Sequence, residues 1–96
     1  MARTPEGEIK DRVRKVLDEL GAYYFFPAAN GLGRTGIPDV IACIDGHFVG
    51  IECKAGNKQP TALQRRELDR IAEKKGTSLV VNATNIDNLR GLLWQK

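Results

Sequence analysis

Cysteine, histidine and long apolar runs are all scarce in this chain. Two cysteines among 96 residues are too few for a disulfide scaffold. With a single histidine they do not complete a four-ligand zinc site. No apolar run approaches the roughly 20 residues that span a bilayer. The start, Met1-Ala2-Arg3-Thr4-Pro5-Glu6, lacks the apolar stretch of a signal peptide. These absences predict a cytoplasmic protein in a reducing compartment, with no membrane partner. Its length predicts one domain over residues 1–96, since a second would have too little chain for its own core. No repeat, low-complexity tract or linker interrupts it. A net charge of +3 suits a polyanionic partner without demanding one.

What is present reads as alternating elements. Thr4 is a good N-cap and Pro5 suits the first helical position. Ile9, Val13, Val16, Leu17 and Leu20 recur at helical spacing before Gly21, which predicts a helix over 5–20. The aromatic run 22–26 reads as a strand, and a glycine-rich loop over 28–36 follows. Residues 39–44 and 47–54 read as strands joined by Asp45-Gly46, a preferred two-residue hairpin turn. A second helix is predicted over 62–75, stopped by Gly76, then a strand over 78–82. A last helix is predicted over 85–94, with Ile86, Leu89, Leu92 and Leu93 inward. This order predicts an α/β sandwich with a mixed sheet.

The hairpin register carries the chemistry. With Asp45-Gly46 as the turn, Ile44 faces His47, Cys43 faces Phe48, Ile41 faces Gly50 and Asp39 faces Glu52. Opposed residues have Cβ atoms about 4.5–5.5 Å apart. Two carboxylates at that distance repel, so a proton or a cation must lie between them. Lys54, two residues beyond Glu52, leaves the same face. A surface ion cluster would account for Lys54 but not for opposed acids. A hard divalent cation on carboxylate oxygens accounts for both, and magnesium fits best. Gly50 is expected to leave open space beside Ile41. Cys43 and Cys53 fall on opposite faces, which excludes a disulfide and leaves both as small core residues. His47 is expected to be exposed beside the turn.

Gly36-Ile37-Pro38-Asp39 followed by Glu52-Cys53-Lys54 resembles the PD-(D/E)xK nuclease signature. With Leu63-Gln64-Arg65-Arg66 and the small size, the chain is similar to the virus-type replication-repair nuclease (VRR-NUC) family, most of all its phage-type single-domain members. The likeness runs from Glu6 to about Asn82. It implies a restriction-endonuclease-like αβββαβ core, with a central mixed sheet flanked by helices. It also implies a metal-dependent, structure-selective DNA endonuclease using Mg²⁺ or Mn²⁺. Its product would carry a 5′-phosphate and a 3′-hydroxyl, with one or two metals left open. The phage-type members imply a homodimer acting on branched DNA such as a four-way (Holliday) junction.

The family's residues carry over one by one. Asp39, Glu52 and the Cys53 carbonyl would hold the metal, and Lys54 would serve catalysis. A first-helix glutamate joins the site in that family. At about 100° per residue, Glu6 falls inside the apolar face whereas Glu8 points away, so Glu6 is the candidate, acting through water or at a second metal position. A first-turn acid favouring the helix dipole is its other reading. Gln64 carries two readings of equal weight: the family's active-site glutamine, or the third position of a capping box begun by Thr61. Arg34, Lys58 and Arg65 are candidate DNA-phosphate contacts, and the remaining helix cations, Lys10 among them, could track a DNA backbone.

Other readings compete. Gly31-Leu32-Gly33-Arg34-Thr35-Gly36 matches the dinucleotide fingerprint, which needs a helix directly after it. Pro38 disfavours helix at Ile37, so no nucleotide cofactor is expected. A catalytically silent DNA-binding module of the same fold is the alternative function, although it would be expected to lose one of Glu6, Asp39, Glu52 and Lys54. Trp94 reads as core or interface packing.

Overall fold

The computed structural model describes residues 4–28 and 33–93. Part of the glycine-rich loop, residues 29–32, and Trp94 lie outside the described residues.

Helix α1 spans Pro5–Glu19. The Thr4 hydroxyl accepts from the Gly7 N–H at 3.0 Å, satisfying one of the donors a helix start leaves orphaned. The chain turns out of the helix at Gly21, whose φ of +69° costs a glycine little. Strand β1 is Tyr23–Phe25, β2 is Val40–Ile44 and β3 is His47–Cys53. Asp45 and Gly46 both have positive φ, 50° and 85°, as a hairpin turn matching the strand twist requires. Helix α2 spans Ala62–Glu73 and β4 spans Thr77–Val81. A 3-10 turn, Ile86–Asn88, leads into a short helix α3, Leu89–Leu93.

The strands lie in sequence order β1-β2-β3-β4. The first three are antiparallel, and β4 joins β3 in parallel through the α2 crossover. The hairpin register is as expected from Val40↔Ile51 to Ile44↔His47. Ile9, Val13 and Leu17 of α1 pack with Val40, Ala42, Ile44, Val49, Ile51 and Cys53 of the sheet, joined by Ile86, Leu89 and Leu93. Each such buried aliphatic contributes roughly 1.5–3 kcal/mol. The opposite face meets α2, whose Ile71 lies over Gly50. The architecture is the α/β mixed sheet flanked by helices.

Several expectations are corrected. Space beside Gly50 is not open, because a Cβ there would sit 2.6 Å from Ile71 Cδ1 and 3.3 Å from Pro38 Cγ. Cys43 is exposed rather than core, because α2 covers β3 and β4 but not this part of β2. Leu92 is 49% exposed, since the 3-10 turn and short α3 direct Ile86, Leu89 and Leu93 inward instead. His47 is half-buried, with its Nε2 2.6 Å from Thr77 Oγ1, because parallel β4 begins beside it. Helix α2 ends before Lys75, which itself takes the left-handed φ of 75° expected of Gly76. No described helix is long and apolar enough to cross a membrane.

Candidate active site

The ladder between β2 and β3 stops at Val40↔Ile51. One step further, Asp39 has left the strand, and its carboxylate takes over the pairing. Asp39 Oδ2 accepts from the Cys53 backbone N–H at 2.8 Å. This bond holds the acid at the sheet end beside Glu52. The two acids are therefore brought together, though by a side-chain bond and not as a regular cross-strand pair.

Glu52 is 2% exposed, and its Oε1 has no hydrogen-bond partner. Lys54 Nζ approaches Oε2 at 3.4 Å, and the Lys54 backbone N–H donates to Val81 O at 2.9 Å, anchoring that segment to β4. Burial and then the Asp39 charge push the Glu52 carboxyl up to about 7, while Lys54 and a backbone hydrogen bond at Asp39 pull it back. Burial and the Asp39 charge likewise push the Cys53 thiol up to about 12, so it is no nucleophile at neutral pH. A buried carboxylate oxygen without a partner costs on the order of 1–3 kcal/mol. Such a group in a folded protein calls for an explanation, an unplaced ion among them. Two hard oxygen donors at one sheet end, one of them orphaned, fit a divalent cation that keeps its remaining positions for water and phosphate.

Glu6 is not a direct third member. Among the described residues no group of three or more His, Cys, Asp or Glu converges on one point. The Glu6 carboxylate instead pairs with Lys10 Nζ at 3.4 Å, and the same ammonium lies 3.8 Å from Asp39 Oδ1. Partial burial works to lower the Lys10 pKa, but Asp39 and Glu6 outweigh it and the net direction is up. Lys10 thus belongs to the site, whereas its sequence reading was only a helix cation. The signal was available: if Glu6 faces the site, the residue one turn on shares its face.

Gln64 is confirmed as a cap. Its Oε1 accepts from Thr61 N–H at 2.9 Å, and its own N–H donates to Thr61 Oγ1 at 3.2 Å. It also adjoins the loop leading to Asp39. Gly36, with φ of +94°, lies so close to α2 that a Cβ would meet Leu63 O at 2.6 Å and Gln64 N at 3.0 Å. Arg34 is held in the same docking, its Nε 3.1 Å from Oε1 of buried Glu67. Glu67 escaped the sequence reading, although it interrupts the apolar spacing of Leu63 and Ile71 on one helix face. Lys58 and Arg65 are exposed. After Gly36 the chain runs to strand β2, not to a helix, so the geometry of a dinucleotide fingerprint is not met.

Solved structures share this fold. One named "VRR_NUC domain" is 24% identical, with a TM-score of 0.81 over 96% of this chain and 100% of that chain. Another, "VRR_NUC domain protein", is 21% identical, with a TM-score of 0.68 over 96% of this chain and 87% of that one. Comparison with curated proteins gives no match. The fold is that of the VRR_NUC domains of known structure. The family model of the archaeal Holliday junction resolvase (hjc) matches residues 6–84, and the chain belongs to that family.

Proposed function

We propose that this nuclease is a metal-dependent, structure-selective DNA endonuclease that cleaves branched DNA, with a four-way junction as its preferred substrate. The observation that carries this reading is Glu52, a buried carboxylate beside Asp39 whose Oε1 has no partner. Asp39, Glu52 and the Cys53 carbonyl would hold Mg²⁺ or Mn²⁺. Such an ion supplies Lewis-acid polarisation of the phosphate and a more acidic water.

The chain's own residues do the rest. Lys54, anchored through its backbone to β4, presents its ammonium to the attacking water and to charge building on the phosphate. Glu6 contributes at the edge of the site alongside Lys10. Gln64 steadies the start of α2 against the loop that bears Asp39, and this proximity supports a contribution to the active site beyond capping. Arg34, Lys58 and Arg65 are proposed to contact DNA phosphates without reading sequence. Arg34 would then exchange or share its Glu67 partner.

A homodimer suits two symmetric cuts in a branched substrate. Support comes from exposed aromatic residues on the α2 side of the sheet, on the part that α2 does not cover. Tyr23 and Phe25 of β1 are 74% and 48% exposed, and Phe48 of β3 is 47% exposed. Exposed apolar groups clustered in this way mark interaction surfaces.

The test incubates pure protein with labelled linear duplex, flap and four-way DNA, in Mg²⁺, Mn²⁺ or EDTA, beside Lys54→Ala. Metal-dependent cutting of the four-way DNA above the duplex, lost in Lys54→Ala, is the expected result. Cutting that persists in EDTA or in Lys54→Ala defeats the mechanism. Tight DNA binding without any cutting would favour the silent binding module.

A further inference from the structure

Lys10 sits where the proposed nuclease mechanism gives it no task. It follows buried Ile9 on α1 and reaches across the end of the sheet. Its ammonium lies between two acids, 3.4 Å from Glu6 Oε2 and 3.8 Å from Asp39 Oδ1. Its side chain is only 34% exposed, so water screens it incompletely. Glu52 already has its own cation in Lys54. Lys10 is therefore the counter-ion of the other half of the site, the half formed by Asp39.

We infer that Lys10 is a built-in competitor for the divalent cation, neutralising Asp39 in the free enzyme and giving it up when the metal binds. The inference rests on the nuclease reading above, because it takes Asp39 as a metal ligand. Its physical basis is charge arithmetic. Without metal, the charge of Asp39, held at the end of the hairpin by Cys53 N–H, acts on the neighbouring Glu52, and the Lys10 cation keeps Asp39 from standing uncompensated. When a divalent ion approaches Asp39, the same ammonium becomes a like charge a few ångströms away and lowers the affinity of the site. Glu6, paired to Lys10 through one helical turn, provides the ammonium with somewhere to remain once Asp39 is taken. Glu6 is thereby a positioning residue for Lys10. The free protein would bind metal weakly, and an added phosphate, by drawing the released ammonium, would strengthen binding.

The experiment is calorimetric titration of Mn²⁺ into the DNA-free protein, with Asp39→Asn as the control that assigns binding to this site. Lys10→Met is expected to bind Mn²⁺ about tenfold more tightly than wild type, from loss of one partly screened positive charge near the ion. Lys10→Arg keeps the charge and is expected to remain near wild type. A residue that merely supported the fold would leave affinity unchanged or reduce it, so Lys10→Met binding no tighter than wild type overturns the inference while the nuclease reading stands. If no Mn²⁺ binding sensitive to Asp39→Asn occurs in either protein, the metal reading fails and the inference with it. Lys10→Gln, which retains a polar side chain, gives the same readout should Lys10→Met fail to fold.

Discussion

The Cys53 backbone N–H donates to Asp39 Oδ2 at 2.8 Å, just beyond the last ladder pair, Val40↔Ile51. A side chain thus closes the hairpin where regular backbone pairing ends, and this one bond sets an acid at the mouth of the site. The neighbouring residue, Glu52, then points its carboxylate into nearly complete burial. Backbone hydrogen bonding and electrostatics are coupled at a single residue pair.

Asp39→Asn keeps an oxygen able to accept from Cys53 N–H but removes the charge. The fold is expected to survive, with DNA binding largely retained, while cleavage falls by at least about 100-fold. Circular dichroism, gel-shift and cleavage assays on one preparation measure the three quantities. Loss of DNA binding together with activity would mark Asp39 as a positional residue instead.

Stability of the metal-free protein should depend on Glu52. Its carboxyl is raised from 4.5 to about 7 in the fold, so between those values the folded state binds more protons than the unfolded chain. Folding therefore gains stability below the lower value and loses it as pH rises through about 7. The loss is at most on the order of 3 kcal/mol. Urea midpoints measured from pH 4.5 to 8 should fall with pH in wild type and flatten in Glu52→Gln. A rise with pH attributable to Glu52 would contradict the assigned direction.

Gly36→Ala should be costly. The residue has φ of +94°, and a Cβ would press on Leu63 O at 2.6 Å. Left-handed strain and the clash together cost about 2–4 kcal/mol. Thermal melting should show the loss, and the loop carrying Asp39 should become more open to proteolysis. Unchanged melting would mean that the loop leaves α2 at little cost.

The two thiols should react at different rates. Cys43 is exposed and Cys53 is buried, with burial and Asp39 raising the Cys53 thiol pKa to about 12. An aromatic disulfide reagent at neutral pH should label one thiol quickly and the second only on unfolding. Two equally fast reactions would contradict the packing of β3 against α1.

The sequence on its own determined the order of elements and the hairpin register from Val40↔Ile51 to Ile44↔His47, because these follow from local rules. Turn chemistry at Asp45-Gly46 sets which residues oppose, side-chain alternation sets which face they leave from, and helical spacing places Ile9, Val13 and Leu17 on one stripe. The motif around Asp39, Glu52 and Lys54 was legible as a resemblance to a known family. Only the tertiary structure decided what lies over each face. Ile71 fills the space above Gly50, whereas Cys43 and Phe48 remain uncovered, because α2 crosses one half of the sheet. It alone brought Lys10 of α1 to Asp39 and Arg34 to Glu67. Such contacts join residues far apart in the chain, and their distances depend on how helices pack rather than on any periodicity within one element.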